Sequence, residues 1–258
     1  MLLVLDVGNS QTKIGIFDGD NLVANWRVVT SPQRTSDELR TLLHMLLQQG
    51  GIDPKSIRGC CISSVVPPLN LEMQQMCEDS FGIAPLMIGP GIKTGLIIQV
   101  ENPKEVGADR ICNSVAALEE YGGPLIVVGF GTATTFDAIT AKGEYRGGVI
   151  APGVQISADA LFKRCAKLPR VDLAVPTSVI GRDTVSNIRS GLIFGYADLT
   201  DGIVRRMMEE MGVTPTVVAT GGLADLMAGV ATSIQHVNPL LSLKGLKLIH
   251  DKNDRGAE

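Results

Sequence analysis

A chain of 258 residues that is 45% hydrophobic and 19% charged can build a full core, and its length suits one or two domains. A net charge of −4 without a basic block argues against nucleic acid as the main partner, and no apolar run reaches the ~18 residues of a membrane span. Five cysteines, with no CxxC pair and no Cys/His cluster at zinc spacing, fit buried thiols in a reducing compartment; the opening turns acidic too soon for a signal peptide, so the expected location is the cytoplasm.

Residues 2–5 form an apolar run ending at Asp6; a Gly-Asn-Ser turn follows, and 12–17 reads as a second strand. Asp18-Gly19-Asp20-Asn21 signals a hairpin into a third strand over 22–29. Leu39, Leu42, Leu43, Leu46 and Leu47 carry helical spacing across 36–49, with Ser36 as N-cap and Gly50-Gly51 as the stop. A buried strand over 57–66 stops at Pro67-Pro68, a helix over 69–79 follows, and 85–99 mixes short strands with turns. After a helix over 110–121, ended by Gly122-Gly123-Pro124, the opening pattern returns. It gives an apolar run over 125–128, a turn at Gly129-Phe130-Gly131-Thr132, a strand over 133–140, a turn at Lys142-Gly143 and a strand over 144–150. Helices over 157–166 and 184–211, a short strand over 216–219, a helix over 223–227 and a charged, fraying tail after Lys252 complete the reading.

Laying Asp6 on Gly129 lays Gly8 on Gly131, Asn9 on Thr132 and Thr12 on Thr135. Two halves of three strands followed by helices predict an α/β protein of two related domains, 1–110 and 111–258, with a cleft between them. A glycine turn between strands points several backbone N–H groups into one concavity, which binds anions without side-chain charge. Gly8 and Gly131 admit close backbone approach, and Asn9, Ser10, Thr132, Thr134 and Thr135 add donors. Lys13 can reach a transferred phosphoryl group as a point charge, and Asp6 is placed to hold Mg²⁺ directly or through water. Either loop alone also reads as an ordinary hairpin; the matched pair points to nucleotide phosphates. No GxxxxGK[ST] is present, so this is not a P-loop chain.

Thr220-Gly221-Gly222 follows a strand and opens a helix, where two glycines either admit a flat ligand such as an adenine–ribose unit or make a plain turn. Asn102-Pro103 and Gly107-Ala108-Asp109-Arg110 form an irregular segment before a helix. Asp109 either caps that helix or accepts the proton of a substrate hydroxyl while Arg110 grips a carboxylate or phosphate. Phosphoryl transfer asks for little more than positioning and charge neutralisation.

These segments together resemble the type III pantothenate kinases, within the actin/hexokinase/acetate-kinase-like superfamily. The matching stretches are Asp6-Val7-Gly8-Asn9-Ser10, Ser63-Ser64-Val65-Val66-Pro67-Pro68, Gly107-Ala108-Asp109-Arg110, Gly131-Thr132-Ala133-Thr134-Thr135-Phe136-Asp137, Gly147-Gly148-Val149-Ile150-Ala151-Pro152-Gly153 and Ala219-Thr220-Gly221-Gly222, with Asp201-Gly202 and Leu243-Lys244-Gly245-Leu246. The resemblance spans nearly the whole chain. It implies two actin-like (ribonuclease H-like) domains, phosphorylation of the pantothenate hydroxyl by ATP and Mg²⁺ as the first step of coenzyme A synthesis, and a homodimer with pantothenate close to the subunit contact.

On the matched positions the resemblance implies Asp109 as general base and Gly107, Ala108 and Arg110 beside it on pantothenate. It implies Asp6, Val7, Gly8, Asn9, Ser10, Gln11, Thr12 and Lys13, with Gly131, Thr132, Gly221 and Gly222, on ATP. Thr184 would lie near pantothenate across the dimer, and 178–204 would form the helical part of the dimer contact. Two positions depart from the family pattern. Its second loop begins with an Asp associated with a monovalent cation, K⁺ or NH₄⁺, where Gly129 stands; an aromatic residue of the pantothenate pocket is replaced by Val100. Gly129 leaves open an ATP-binding pseudokinase or regulatory accessory factor, and Val100 a kinase of another small hydroxy acid.

Overall fold

The computed structural model describes residues 1–254, which fall into two compact units. The first holds Met1–Gly95, Glu101–Ala116 and the C-terminal stretch from Leu241; the second holds Leu96–Val100 and Ala117–Leu240. The division is therefore not a single cut at 110. That point falls inside a helix, and the chain returns to the first unit after completing the second.

The first unit is built on a five-stranded sheet in the order β3-β2-β1-β4-β5. Its strands are β1 (Leu2–Val7), β2 (Gln11–Asp18), β3 (Asn21–Val29), β4 (Gly59–Ser64) and β5 (Leu86–Met87). The first three form an antiparallel meander, and β4 runs parallel to β1. Strand β1 is buried along its whole length, Asp6 included, as a strand covered on both faces should be. Helices α1 (Ser36–Gln49) and α2 (Asn70–Phe81) pack Leu39, Leu43, Leu47, Met73 and Met76 against Leu3, Leu5, Ile14 and Ile16. The cap of α1 is Thr35 rather than Ser36: its hydroxyl and the Glu38 carboxylate close a reciprocal capping box. Helices α3 (Ala108–Tyr121) and α7 (Leu241–Asp254) also belong to this fold, with residues 108–116 of α3 in the first unit.

The second unit has a six-stranded sheet in the order β11-β10-β7-β8-β9-β6. Strand β6 is Ile97–Ile98, β7 Leu125–Phe130, β8 Ala133–Ile139, β9 Glu144–Pro152, β10 Thr216–Gly221 and β11 His236–Val237. Here β7, β8 and β9 repeat the meander, and β10 lies parallel to β7 as β4 does to β1. Helices α4 (Val154–Arg164), α5 (Thr184–Met211) and α6 (Ala224–Ala228) bring Val154, Leu192, Val204 and Met227 onto Ile126, Val128 and Val217.

Three expectations change. Helix α4 starts at Val154, before the expected 157, because β9 ends at Pro152 and Gly153, the next residue, is the N-cap of the helix. Helix α7 was not anticipated; the supposed fraying tail is helical through Asp254, and the rest of it lies outside the described residues. Cys165 is exposed, while Cys60, Cys61, Cys77 and Cys112 are the buried free thiols expected. Among the described residues no helix is long and apolar enough to cross a membrane.

Candidate active site

The β1–β2 hairpin sets Asp6 opposite Lys13, and the parallel β4 sets Ser63 on its other side. Register partners share a sheet face, so Lys13, Asp6 and Ser63 form one row. Asp6 is only 7% exposed. Lys13 Nζ stands 3.8 Å from Asp6 Oδ2 and donates to Ser242 Oγ at 3.2 Å. Asp6 Oδ1 and Ser63 Oγ are buried without a hydrogen-bond partner among the described residues. A buried carboxylate oxygen is costly unless water or a cation meets it, so this atom fits Mg²⁺ or a Mg²⁺-bound water. At the tip, Gly8 N–H donates to the Gln11 carbonyl at 3.1 Å, and Asn9, Ser10 and Gln11 are exposed. Val7 and Thr12 are buried on the opposite face; Val7 joins the core, and the Thr12 and Thr30 hydroxyls lie 2.9 Å apart. The structure therefore gives those two a packing role in the hairpin.

Asp109 is the second residue of α3, not its cap; the Gly107 carbonyl accepts the Ile111 N–H at 3.1 Å. The Asp109 carboxylate folds back over Gly107, where a Cβ would stand 2.6 Å from Oδ1. One turn on, the buried Cys112 thiol is held well above the usual thiol range, first by burial and then by the charges of Asp6 and Asp109. Both carboxylates thus act on one buried point, although 103 positions separate them in sequence (109 − 6 = 103). The thiol lies beside Ser63 Oγ, but the geometry falls short of satisfying that hydroxyl. Helix α7 crosses α3 here, and a Cβ on Gly245 would overlap the Cys112 carbonyl oxygen.

In the second unit Gly129 faces Thr135 on β8 and Thr220 on β10. Asp6 pairs with a residue seven positions on, Gly129 with one six positions on, so this turn is one residue shorter. The counterpart of Lys13 is therefore Thr135, and that of Thr12 is Thr134; the sequence overlay slips by one beyond the turn. A Cβ on Gly129 would meet Thr135 Oγ1 at 2.7 Å. Thr134 Oγ1 and Thr220 Oγ1 are buried without a hydrogen-bond partner among the described residues, like Ser63 Oγ. Gly131 N–H donates to the Ala133 carbonyl at 3.0 Å, and exposed Thr132 accepts from Gly153 N–H at 3.1 Å where α4 begins. Gly221 has φ +101° with its α-carbon against the Phe130 carbonyl, so no side chain fits; Gly222 is exposed beside it.

The structure gathers Asp6, Lys13 and Asp109 in the first unit, and Gly129, Gly131, Thr132 and Gly221 in the second. Val100 belongs to the second unit, near Gly147, whereas Gly107, Ala108 and half-buried Arg110 belong to the first. Thr184 is the exposed first residue of α5, after the cap Asp183, whose carboxylate accepts the Ser186 N–H at 2.9 Å. Sequence reasoning missed Cys112 and Ser242 and gave Ser63 no role. Ser63 carried a signal, since it opens the Ser-Ser-Val-Val-Pro-Pro stretch; the other two carried none.

Comparison with known proteins adds three findings. A family model described as type III pantothenate kinase matches residues 2–206. A type III pantothenate kinase of Roseiflexus castenholzii is 54% identical over 253 residues, covering 98% of this chain and 99% of its own. One from Anaeromyxobacter sp. (strain Fw109-5) is 52% identical, covering 98% and 100%. Among solved structures, a ROK hexokinase from Thermus thermophilus has a TM-score of 0.52 at 13% identity, covering 96% of this chain and 97% of that one. At that identity the likeness speaks for the fold, a mixed α/β protein of two actin-like units.

Proposed function

The chain belongs to the type III pantothenate kinase family, and from that premise we infer that it phosphorylates pantothenate with ATP, the first step of coenzyme A biosynthesis. The observation that carries the reading is the near-full-length identity above one half, in a chain that keeps Asp6, Lys13 and Asp109 in one unit. The accessory-factor reading rested on Gly129 alone, and no observation favours it.

The roles follow from charge and position. Asp109 accepts the proton of the attacking pantothenate hydroxyl; its place in the first turn of α3 leaves its carboxylate half-exposed. Arg110 meets the pantothenate carboxylate. Gly8, Asn9, Ser10 and Gln11 at the first unit's turn offer backbone and side-chain donors to phosphate, and the turn of Gly131 and Thr132 is a cradle of the same kind in the second unit. Lys13 neutralises charge on the transferred phosphoryl group. Asp6 would hold Mg²⁺, whose charge would offset that of the phosphates. The residues fit that ion, given the unpartnered Asp6 Oδ1. They do not fit a monovalent cation held by a carboxylate at 129, where no carboxylate exists and Thr135 Oγ1 fills the space. Gly221 and Gly222 would admit the adenosine within the second unit.

A homodimer is part of the same proposal. Leu161, Phe162, Val175, Val179 and Ile180 are exposed around α4 and the approach to α5, where the resemblance expects the subunit contact and Thr184. Five free cysteines suit the reducing cytoplasm.

The direct test is incubation with ATP, Mg²⁺ and pantothenate, with phosphopantothenate and ADP as the expected products. Asp109→Asn should lower kcat by about a hundredfold or more; a variant of full activity would remove Asp109 from the base role.

A further inference from the structure

We propose that Ser242, on the C-terminal helix α7, is a positioning residue that holds the Lys13 ammonium away from Asp6 and so keeps Asp6 available to the metal–nucleotide complex. This rests on the kinase reading above and adds to it a residue that touches neither phosphate nor pantothenate.

A lysine and an aspartate facing each other across two strands normally close to a charge-assisted contact of about 2.7–2.9 Å. Here Nζ stays 3.8 Å from Asp6 Oδ2 and donates to Ser242 Oγ at 3.2 Å. Ser242 is 1% exposed, so this bond does not compete with bulk water. A hydroxyl suits the task better than a second carboxylate would. It accepts from the ammonium without neutralising it, leaving the charge of Lys13 for an anionic ligand. Asp6 meanwhile keeps Oδ1 without a hydrogen-bond partner among the described residues.

The hydroxyl is fixed by a rigid helix. Leu241, Leu243, Leu246 and Ile249 bury one side of α7. Gly245, three residues after Ser242 and hence on the same face, rests on the Cys112 carbonyl with no room for a Cβ. Lys247 Nζ reaches Asp20 Oδ1 at 2.9 Å, tying the helix to the β2–β3 turn. Without the Ser242 hydroxyl, Lys13 loses its buried acceptor and closes on Asp6. The resulting ion pair then competes with the cation for the same carboxylate.

The test uses the full chain and Mn²⁺ as a spectroscopic stand-in, titrated with ADP and followed by electron paramagnetic resonance. Ser242→Ala should weaken Mn²⁺ binding by about tenfold and raise the half-saturating Mg²⁺ for turnover in parallel, with the KM for pantothenate unchanged. Ser242→Thr, which keeps the hydroxyl, should restore both. In a Lys13→Met background, Ser242→Ala should make no further difference to Mn²⁺ affinity. Equal affinity in wild type and Ser242→Ala overturns the proposal. So does an equal loss in the Lys13→Met background, which would trace the effect to a disturbed helix, or a wild type that binds no Mn²⁺ with ADP. If wild type binds Mn²⁺ and ADP but fails to phosphorylate pantothenate, the kinase reading falls while the Ser242 comparison still gives its answer.

Discussion

The row Lys13–Asp6–Ser63 in the first unit and the row Thr135–Gly129–Thr220 in the second occupy the same places in two sheets of like topology. Each row flanks a glycine turn, and each ends in a buried hydroxyl without a hydrogen-bond partner among the described residues. Beyond a turn one residue shorter in the second unit, the rows differ most in charge, a carboxylate and an ammonium in the first unit against a hydrogen and a hydroxyl in the second. A repeated strand–turn–strand supplies the backbone anion cradle twice, because that cradle depends on turn geometry alone. Charge is supplied once, where a helix from the far end of the chain can hold the ammonium in place.

The largest effect should come from removing the charge that separates the two rows. Asp6→Asn keeps shape and packing but loses the cation ligand, so kcat/KM should fall by about a hundredfold to a thousandfold. Folding should hold or improve, since a nearly buried carboxylate whose cation is absent is itself a burden. Steady-state kinetics beside thermal melting separates the two; a variant with wild-type turnover would show that the rows are not functionally distinct.

A smaller effect is expected from making the rows alike. Gly129→Asp drives a Cβ to 2.7 Å from Thr135 Oγ1, and the threonine must rotate away. That should cost about 1 kcal/mol of stability, relieved by adding Thr135→Ala. Turnover of the wild type should be indifferent to added K⁺ or NH₄⁺, whereas the variant, with a carboxylate restored, should respond. A wild type that already depends on K⁺ would mean that backbone and hydroxyl oxygens suffice at this loop.

Much of this was legible in the sequence, and the failures have definite causes. The two hairpins were readable because a buried strand, a glycine turn and a second strand leave a local pattern twice. The slip between Thr12 and Thr135 arose because turn length is set by backbone closure, Gly8 to Gln11 in one unit and Gly131 to Ala133 in the other. Helix α7 was missed because Gly245 interrupts its helical pattern, and the reason for that glycine is the Cys112 carbonyl, far away in sequence. The division at 110 failed for a related reason: a chain that returns to its first unit leaves no linker composition to mark the crossing. Ser242 was invisible for the same cause, since a lone serine acquires meaning only from the Lys13 ammonium beside it.

The smallest expected effect concerns the shared end of the rows, and it separates structure from chemistry most cleanly. Ser63→Ala and Thr220→Val each delete a buried hydroxyl that has no hydrogen-bond partner among the described residues. Such a group has lost its water without gaining a bond, so its removal should shift stability by less than about 1 kcal/mol in either direction. Chemical denaturation of the ligand-free variants measures this. A loss well above that range would mean that ordered water satisfies the hydroxyl. With Mg²⁺ and ADP added, the two should part. Ser63 neighbours the carboxylate expected to hold the cation, so Ser63→Ala should reduce the ligand-induced rise in melting temperature. Thr220 neighbours Gly129, so Thr220→Val should leave it nearly intact. Equal behaviour with ligand would place the cation's influence beyond Asp6 and weaken the contrast between the two hairpins.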